Sequence, residues 1–522
     1  MKKNILLILS LAVNCICSAQ TPTWSKDIAP IIYATCTKCH RTGGIAPFTL
    51  QSYNDAYNNR YGIQSNTASG YMPPWSPDSH YTSLANERIL TDVQKKAISD
   101  WVTSGAPSGD LTKAPPAPTY SGIGEIATPD LVLTIPPYNV NTSTDLYRCF
   151  AIPSNLLNDQ FVTDIEVIPG NRRVVHHVLA YQDTTQKLLQ NNGKDGQPGY
   201  TNFGGTGSNQ SKLIFGWVPG QGKMSFPKGL GVKLKKNAVV VLQVHYPGGT
   251  NNQTDSTRIV FKYAAAGTSS TLRELSTDPI LNHYTNINTP LSVPANTKKS
   301  FVESQFIPVD VTGLSVAPHM HLVGRNFKVY ALLPSGDTMR LINVPNWDFH
   351  WQGSYQFKNA IKIPAGTTLR AEATYDNTTN NPANPNSPPK NVTLGENTTD
   401  EMMLVYFQYM LYKPGDENIV IDSARFTPTT DIATREKLPL LCYPNPARAT
   451  FNLQFNVAAT DYFNVDIFNL QGDLVRLIKK NERFEVGAHN IEISTSDLPS
   501  GTYWVRVASD GAYGLEKLIR VE

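Results

Sequence analysis

Cysteine is scarce in this chain: six residues in 522, two of them (Cys15 and Cys17) within an apolar leader. The others, Cys36, Cys39, Cys149 and Cys442, are too few for a disulfide-stapled scaffold. Their spacing leaves open whether Cys149 pairs with Cys442. Charge of one sign is also lacking. The net charge is +3 and no basic run occurs, which excludes nucleic acid as an expected partner. Beyond the leader no apolar run is long enough to span a bilayer, so no membrane span is expected.

The leader itself is informative. Lys2 and Lys3 precede the apolar stretch Ile5 to Val13, and Cys17-Ser18-Ala19 supplies a small-residue cleavage site. Residues 1–19 read as a secretory signal cut before Gln20. A lipoprotein anchor at Cys15 or Cys17 fits less well, because Asn14 and Ile16 stand where a small residue is usual. The mature chain is expected to be secreted or held at the cell surface after periplasmic passage. Its length suits three or four domains. Abundant Pro, Gly, Asn and Thr between short Val-, Ile- and Tyr-rich runs predict a mainly β protein.

Residues 20–107 are the exception. Cys36-Thr37-Lys38-Cys39-His40 offers two thiols to add across the vinyl groups of one covalent haem c, with His40 placed as an axial iron ligand. A thioredoxin-like pair would not need the histidine, and a zinc site would need a second Cys or His pair nearby. Short helices are predicted over Asp27 to Thr35 and Thr91 to Ser104, the latter opened by a Thr91/Gln94 capping box and stopped by Gly105. Met72, on the proline-stiffened loop Met72-Pro73-Pro74, is the candidate sixth ligand, with His80 as the alternative. The segment resembles a small α-helical class I cytochrome c.

Residues 108–124 read as a Pro/Ala-rich linker, and 429–442 as a second linker. From 443 to 522 the sequence has its own character: Tyr443-Pro444-Asn445-Pro446, then alternating strands, then LPSGTYWVRV and a final KLIRVE. This set resembles the C-terminal sorting domain of type IX secretion cargo. The resemblance implies an immunoglobulin-like β-sandwich and the type IX secretion machinery as a partner. His489 reads as a surface residue without chemistry.

The middle of the chain carries separated histidine groups. In Arg172-Arg173-Val174-Val175-His176-His177, adjacent residues point to opposite strand faces, so two ligands for one metal require a bulge or a strand end. In Val239 to Tyr246, alternation puts His245 on one face with Gln243 and Val241. Three imidazoles suit copper, with zinc as competitor. His319 and His321, at i and i+2, are expected to project from one face of a strand. Asp400-Glu401-Met402-Met403 adds a thioether, and such a soft set favours Cu(I) over zinc.

The order HH, H, HxH, DEM resembles the copper type II ascorbate-dependent monooxygenases. Leu146 to Phe150, Gln243 to Tyr246 and Pro318 to Arg325 support it. The resemblance implies two tandem β-sandwich domains, 125–272 and 273–428, with one copper ion each. His176, His177 and His245 would hold the electron-transferring ion. His319, His321 and Met402 would hold the catalytic, oxygen-activating one, Met402 being preferred to Met403 because it directly follows Asp-Glu. The chain departs from the peptide-amidating members: Ala317 stands where they carry a carboxylate-binding Arg, so glycine-extended peptides are not expected substrates. Tyr406 falls at a pocket position, though it also suits a core. His283 has no motif partner, and His350 is read as packing near the second site.

These features predict an oxidoreductase that uses dioxygen and an external one-electron donor, ascorbate-like or through the fused haem, to hydroxylate a C–H bond of a small substrate. The alternative is a secreted haem/copper electron-transfer or metal-binding protein without hydroxylase activity.

Overall fold

A computed structural model describes residues 21–120, 124–265, 267, 271–421, 436–458, 460–469, 474–509 and 512–521. The expected secretory leader (1–19) lies outside the described residues, as does the first half (429–435) of the second linker. The chain divides into two compact units, the first comprising residues 1–88 and 94–419, the second 89–93 and 420–522. Among the described residues no helix is long and apolar enough to cross a membrane.

The first unit opens with helices. Trp24–Ile28 runs directly into Ala29–Thr35, so the helix starts earlier than the sequence predicts. The Asp27 carboxylate accepts from the Thr23 N–H at 2.8 Å and fixes that start. Tyr53–Asn58 and Arg60–Ala68 are further helices the sequence reading passed over. Their signal was present: Ser52 and Asp55 cap each other's backbone reciprocally. The expected helix near residue 91 spans Asp92–Thr103. Trp24 and Trp101, both fully buried, pack at 6.3 Å in this small core.

Two large, mainly antiparallel sheets follow among the described residues of 131–274, beside a small two-stranded one of Tyr138–Thr142 and Thr250–Asp255. One has the order Tyr200–Thr201, Leu146–Pro153, Val239–Tyr246, His177–Asp183, Lys212–Trp217. Every residue of Val239–Tyr246 is buried, as expected of a β-branched run hydrogen-bonded on both sides. The other is built around Gln160–Ile168 and Arg258–Tyr263.

Residues 276–411 form two four-stranded sheets. Ser276–Asn282, Leu404–Leu411, Val311–His319 and Tyr355–Ile363 make the first. Thr297–Ile307, Thr367–Asn377, Gly324–Leu332 and Thr338–Val344 make the second. Thr367–Asn377 alternates buried and half-buried residues along most of its length, the mark of one covered face.

The second unit is a β-sandwich. A five-stranded and a three-stranded sheet enclose one core, with Phe451, Leu453 and Phe455 from one side and Val465, Ile467, Val505 and Val507 from the other. Cys442 belongs to this core, and both Cys442 and Cys149 are free thiols whose pKa burial raises to about 12. The disulfide left open by the sequence is therefore not formed.

Candidate functional site

The first histidine group resolves the geometric problem set by adjacent ligands. His177 is the first residue of its strand and His176 precedes it in the entering turn. Across the ladder His177 lies directly opposite His245, and the His176 N–H donates to the His245 carbonyl at 2.9 Å. A strand end thus turns both neighbours toward one point. The three side chains can present one ligand atom each within 4.8 Å of one another.

Their tautomers can be read from their partners. His245 Nε2 lies 3.1 Å from the Asp145 carboxylate, so it carries the proton and leaves Nδ1 with a lone pair. That Nδ1 faces His177 Nδ1 at 3.4 Å, which faces His176 Nδ1 at 3.2 Å. Burial lowers the pKa of His176 to about 3 and that of His177 well below its ordinary value, with neighbouring imidazoles adding to the effect. Neutral rings converging through ring nitrogens suit a shared cation. Tyr147 stacks on His245 with centroids 4.3 Å apart, closing that side.

The second group differs in one detail from the sequence expectation. The strand ends at His319, and His321 lies just beyond it, not on its regular face. The rings nonetheless meet, edge to face, at 5.1 Å. His321 Nδ1 lies 3.2 Å from the Asp400 carbonyl, an acceptor only, so Nδ1 is protonated. His319 Nδ1 lies 2.6 Å from Gln352 Oε1, while the Gln352 amide nitrogen donates to the Phe349 carbonyl, which fixes the amide's orientation. Both rings therefore keep Nε2 free, the reverse of His245. Burial lowers the His319 pKa to about 4 and that of His321 well below the ordinary range.

Met402 lines the same cavity as His319, whereas Met403, also buried, is tied through its backbone to His283. Glu401 organises the whole corner. It is fully buried and accepts from the N–H groups of His321 at 2.9 Å, Val323 at 2.8 Å and Met402 at 3.2 Å. Burial still outweighs those bonds and raises its pKa to about 8. His350 is exposed and paired with Asp348 at 3.0 Å, so it is not the packing residue the sequence suggested.

The two groups are neighbours. Phe349 stacks on His176 at 4.8 Å and meets His321 edge-on at 5.8 Å. A cavity of about 560 Å³ is bordered by His177 from one group and by His319 and Met402 from the other. Tyr406 and Ala317 line it as well, which settles Tyr406 as a wall residue. Sequence reasoning missed Asp145, Gln352, Phe349 and Glu396 at this site. None has a local motif, and each becomes visible only once distant strands are brought together.

In the helical region His40 is largely buried, and its Nδ1 lies 3.1 Å from the Phe48 carbonyl, leaving Nε2 free. Cys36 and Cys39 are free thiols on the same turn, with the Cys39 and His40 N–H groups both donating to the Cys36 carbonyl. Met72 is half-buried on the loop after Arg60–Ala68, and its N–H donates to the Asn66 carbonyl at 3.0 Å. His80 is exposed beside Asp78.

Residues 131–254 match the family model described as the N-terminal domain of copper type II ascorbate-dependent monooxygenases, and residues 296–424 match its C-terminal domain. The chain carries both domains of that family. Residues 441–522 match a secretion system C-terminal sorting domain, which places the protein at the cell surface or outside the cell. A tyramine beta-hydroxylase of Caenorhabditis briggsae is 23% identical over 273 residues, covering 49% of this chain and 43% of the relative. The chain thus spans less than half the length of that relative. Among solved structures, PNGase F, a glycosylasparaginase from Flavobacterium meningosepticum, overlaps 54% of this chain and 97% of its own at 8% identity and a TM-score of 0.24. A Faecalibacterium prausnitzii beta-glucuronidase overlaps 43% and 37% at 11% identity and a TM-score of 0.13. Overlaps this slight carry no weight for fold or function.

Proposed function

We propose that the protein is a copper-dependent monooxygenase that uses dioxygen and a one-electron donor to hydroxylate a C–H bond of a small molecule. One observation carries the reading: a single cavity touches both histidine groups and the Met402 thioether. A three-imidazole set beside a two-imidazole, one-thioether set fits copper in two environments, the second softer than the first. His176, His177 and His245 would hold one ion, and His319, His321 and Met402 the other. Copper bound there supplies one-electron storage and dioxygen activation.

The chain's own residues do the rest. Asp145, Gln352 and the Asp400 carbonyl fix tautomers, so that each ring they touch presents one defined lone pair. Glu401 holds the His321 and Met402 backbones in one frame. Leu213, Ile214, Phe215 and Trp217 give the cavity an apolar wall that limits water around a reacting substrate.

The helical region is read as a haem c module that feeds electrons to this centre. The residues present fit the group: two thiols on one turn, and a histidine whose ring is oriented by a backbone carbonyl. The module is docked and not tethered loosely. Trp75 packs edge-on against Tyr355 at 5.4 Å, and the Ala85 N–H donates to the Gln356 carbonyl at 2.8 Å. On its other side, a Cβ placed on Gly220 would lie 3.6 Å from Cys39 Sγ. Gly220 sits between Val218 and Gln221, which line the main cavity.

The deciding experiment is oxygen uptake by the copper-loaded protein with ascorbate, with and without candidate substrates. Substrate-dependent uptake matched by hydroxylated product is expected. Redox cycling of bound copper without product from any substrate would leave an electron carrier or metal-binding protein instead.

A further inference from the structure

One six-residue turn reaches both histidine groups. In Trp347-Asp348-Phe349-His350-Trp351-Gln352, the Asp348 carboxylate accepts from the His350 N–H at 2.9 Å, and the Asp348 carbonyl accepts from the Trp351 N–H at 3.0 Å. The turn is thus closed on itself by its own aspartate. Trp347 anchors its start: the backbone N–H donates to the Arg325 carbonyl at 2.8 Å, and the indole N–H to the His321 carbonyl at 3.2 Å. Gln352 anchors its end. The amide nitrogen donates to the Phe349 carbonyl at 2.9 Å, while Oε1 holds His319.

Phe349, at the centre of this turn, is buried and lies between the groups. Its ring is nearly parallel to His176, at 17°, and perpendicular to His321, at 89°. These are the two favoured arrangements of aromatic pairs. Among the described residues it is the one ring packed against an imidazole of each group. A phenyl ring has no donor atom for a metal, so it cannot join either ligand set. In a close-packed surrounding it cannot be compressed either. What it can do is hold two groups apart at a fixed distance.

We propose that Phe349 is a positioning residue of the two-metal centre, a rigid spacer that sets the separation of the His176/His177/His245 and His319/His321/Met402 sets. This rests on reading both sets as copper sites. The ring touches one histidine of each set, and the Phe349 carbonyl orients a third through Gln352. Any displacement of the turn therefore moves both sets together. Charge exchange between two metals weakens steeply as their separation grows, and an incompressible spacer keeps that gap the same in every molecule. Phe349 does not line the cavity, so this role is separate from substrate contact.

The test uses the full chain loaded with two copper(II) ions. Electron paramagnetic resonance reads the dipolar coupling between them, against the chain carrying a single ion. One sharply defined coupling is expected for the native protein and for Phe349→Tyr, which keeps the ring. Phe349→Ala should spread or abolish the coupling while both ions stay bound, with affinities falling no more than about tenfold, since no ligand histidine loses its hydrogen-bonded partner. Phe349→Leu, a milder change, should move the coupling part of the way. Circular dichroism and thermal melts check folding, because loss of a buried ring lowers Tm whether or not it spaces the metals. An unchanged coupling in the folded Ala and Leu variants, or its loss in folded Phe349→Tyr, would overturn the proposal and leave Phe349 a packing residue. A copper-free arm separates this from the copper reading. In histidine-labelled protein the Phe349 ring current should displace the His176 resonances, and Phe349→Leu should return them to ordinary positions. A chain that shows this displacement but does not take up two copper ions would sink the copper reading, and the spacer role with it. A chain that takes up both ions and shows no displacement would sink the spacer alone.

Discussion

Asp145 and Thr398 stand 253 positions apart, yet the Asp145 carboxylate accepts from the Thr398 N–H at 3.1 Å and from its hydroxyl. The other oxygen of the same carboxylate accepts a hydrogen bond from the Nε2–H of His245. Thr398 lies two residues before Asp400, whose carbonyl holds His321. One side chain therefore ties the three-histidine group to the segment that orients the second group.

Removing that link should affect both sets unequally. Burial opposes ionisation of Asp145, but bonds from His245 and Thr398 outweigh it and keep the carboxylate charged. Asp145→Ala leaves buried donors unpaired and is expected to cost about 1–3 kcal/mol of stability. Copper affinity at the three-histidine site should fall by roughly 10–100-fold, the usual loss when a partner of a ligand histidine is deleted. The His319/His321/Met402 site should keep most of its affinity. Stepwise copper titration with thermal melts measures both, and equal losses at the two sites would show that Asp145 acts only on folding.

The haem reading makes a separate prediction. If Cys36 and Cys39 carry haem through thioether bonds, the colour stays with denatured protein through acid-acetone extraction, and the pyridine haemochrome is that of a c-type haem. Met72→Ala should convert the iron to high spin, whereas His80→Ala should not, since His80 is exposed and paired with Asp78. A spectrum altered only by the His80 change would reverse that assignment.

Much of this candidate centre was legible in the sequence because most of its histidines come as local pairs. His176-His177 and His319-Met320-His321 announce themselves by spacing, and the strand around His245 by its β-branched run. The orienting groups were not legible. Asp145 is 100 positions from His245, and Gln352 is 33 from His319, so only sheet pairing discloses them. The end of the strand at His319 was hidden for a related reason. The turn after it is set by Glu401, fully buried and eighty positions on from His321, which no local pattern around His319 predicts.

Glu303 yields a pH prediction independent of metal. It is fully buried, neither of its oxygens has a hydrogen-bond partner among the described residues, and burial raises its pKa from 4.5 to about 9. Between those values the folded chain holds a proton that the unfolded chain has released. Stability is therefore full below the lower value and falls as pH rises through the window, by on the order of 1.4 kcal/mol per unit. Glu303→Gln removes the ionisation. Its Tm should match the native value near pH 5 and exceed it increasingly toward pH 8.5. Parallel Tm profiles across that range would show that Glu303 does not carry the buried proton.

The last prediction separates Met402 from Met403. Both are buried, but only Met402 lines the cavity, while the Met403 backbone is paired with His283. A thioether is a weak, soft ligand, so its replacement should change how copper behaves more than whether it binds. Met402→His should abolish product formation, keep copper at the three-histidine site reducible, and leave the haem spectrum unchanged. Met403→Leu conserves volume and should cost less than about 1.5 kcal/mol, with turnover near normal. X-ray absorption on the copper(I) protein supplies a readout apart from activity: a sulfur scatterer should vanish in Met402→His and persist in Met403→Leu. Sulfur retained in the first variant, or lost in the second, would transfer the ligand role to the other methionine.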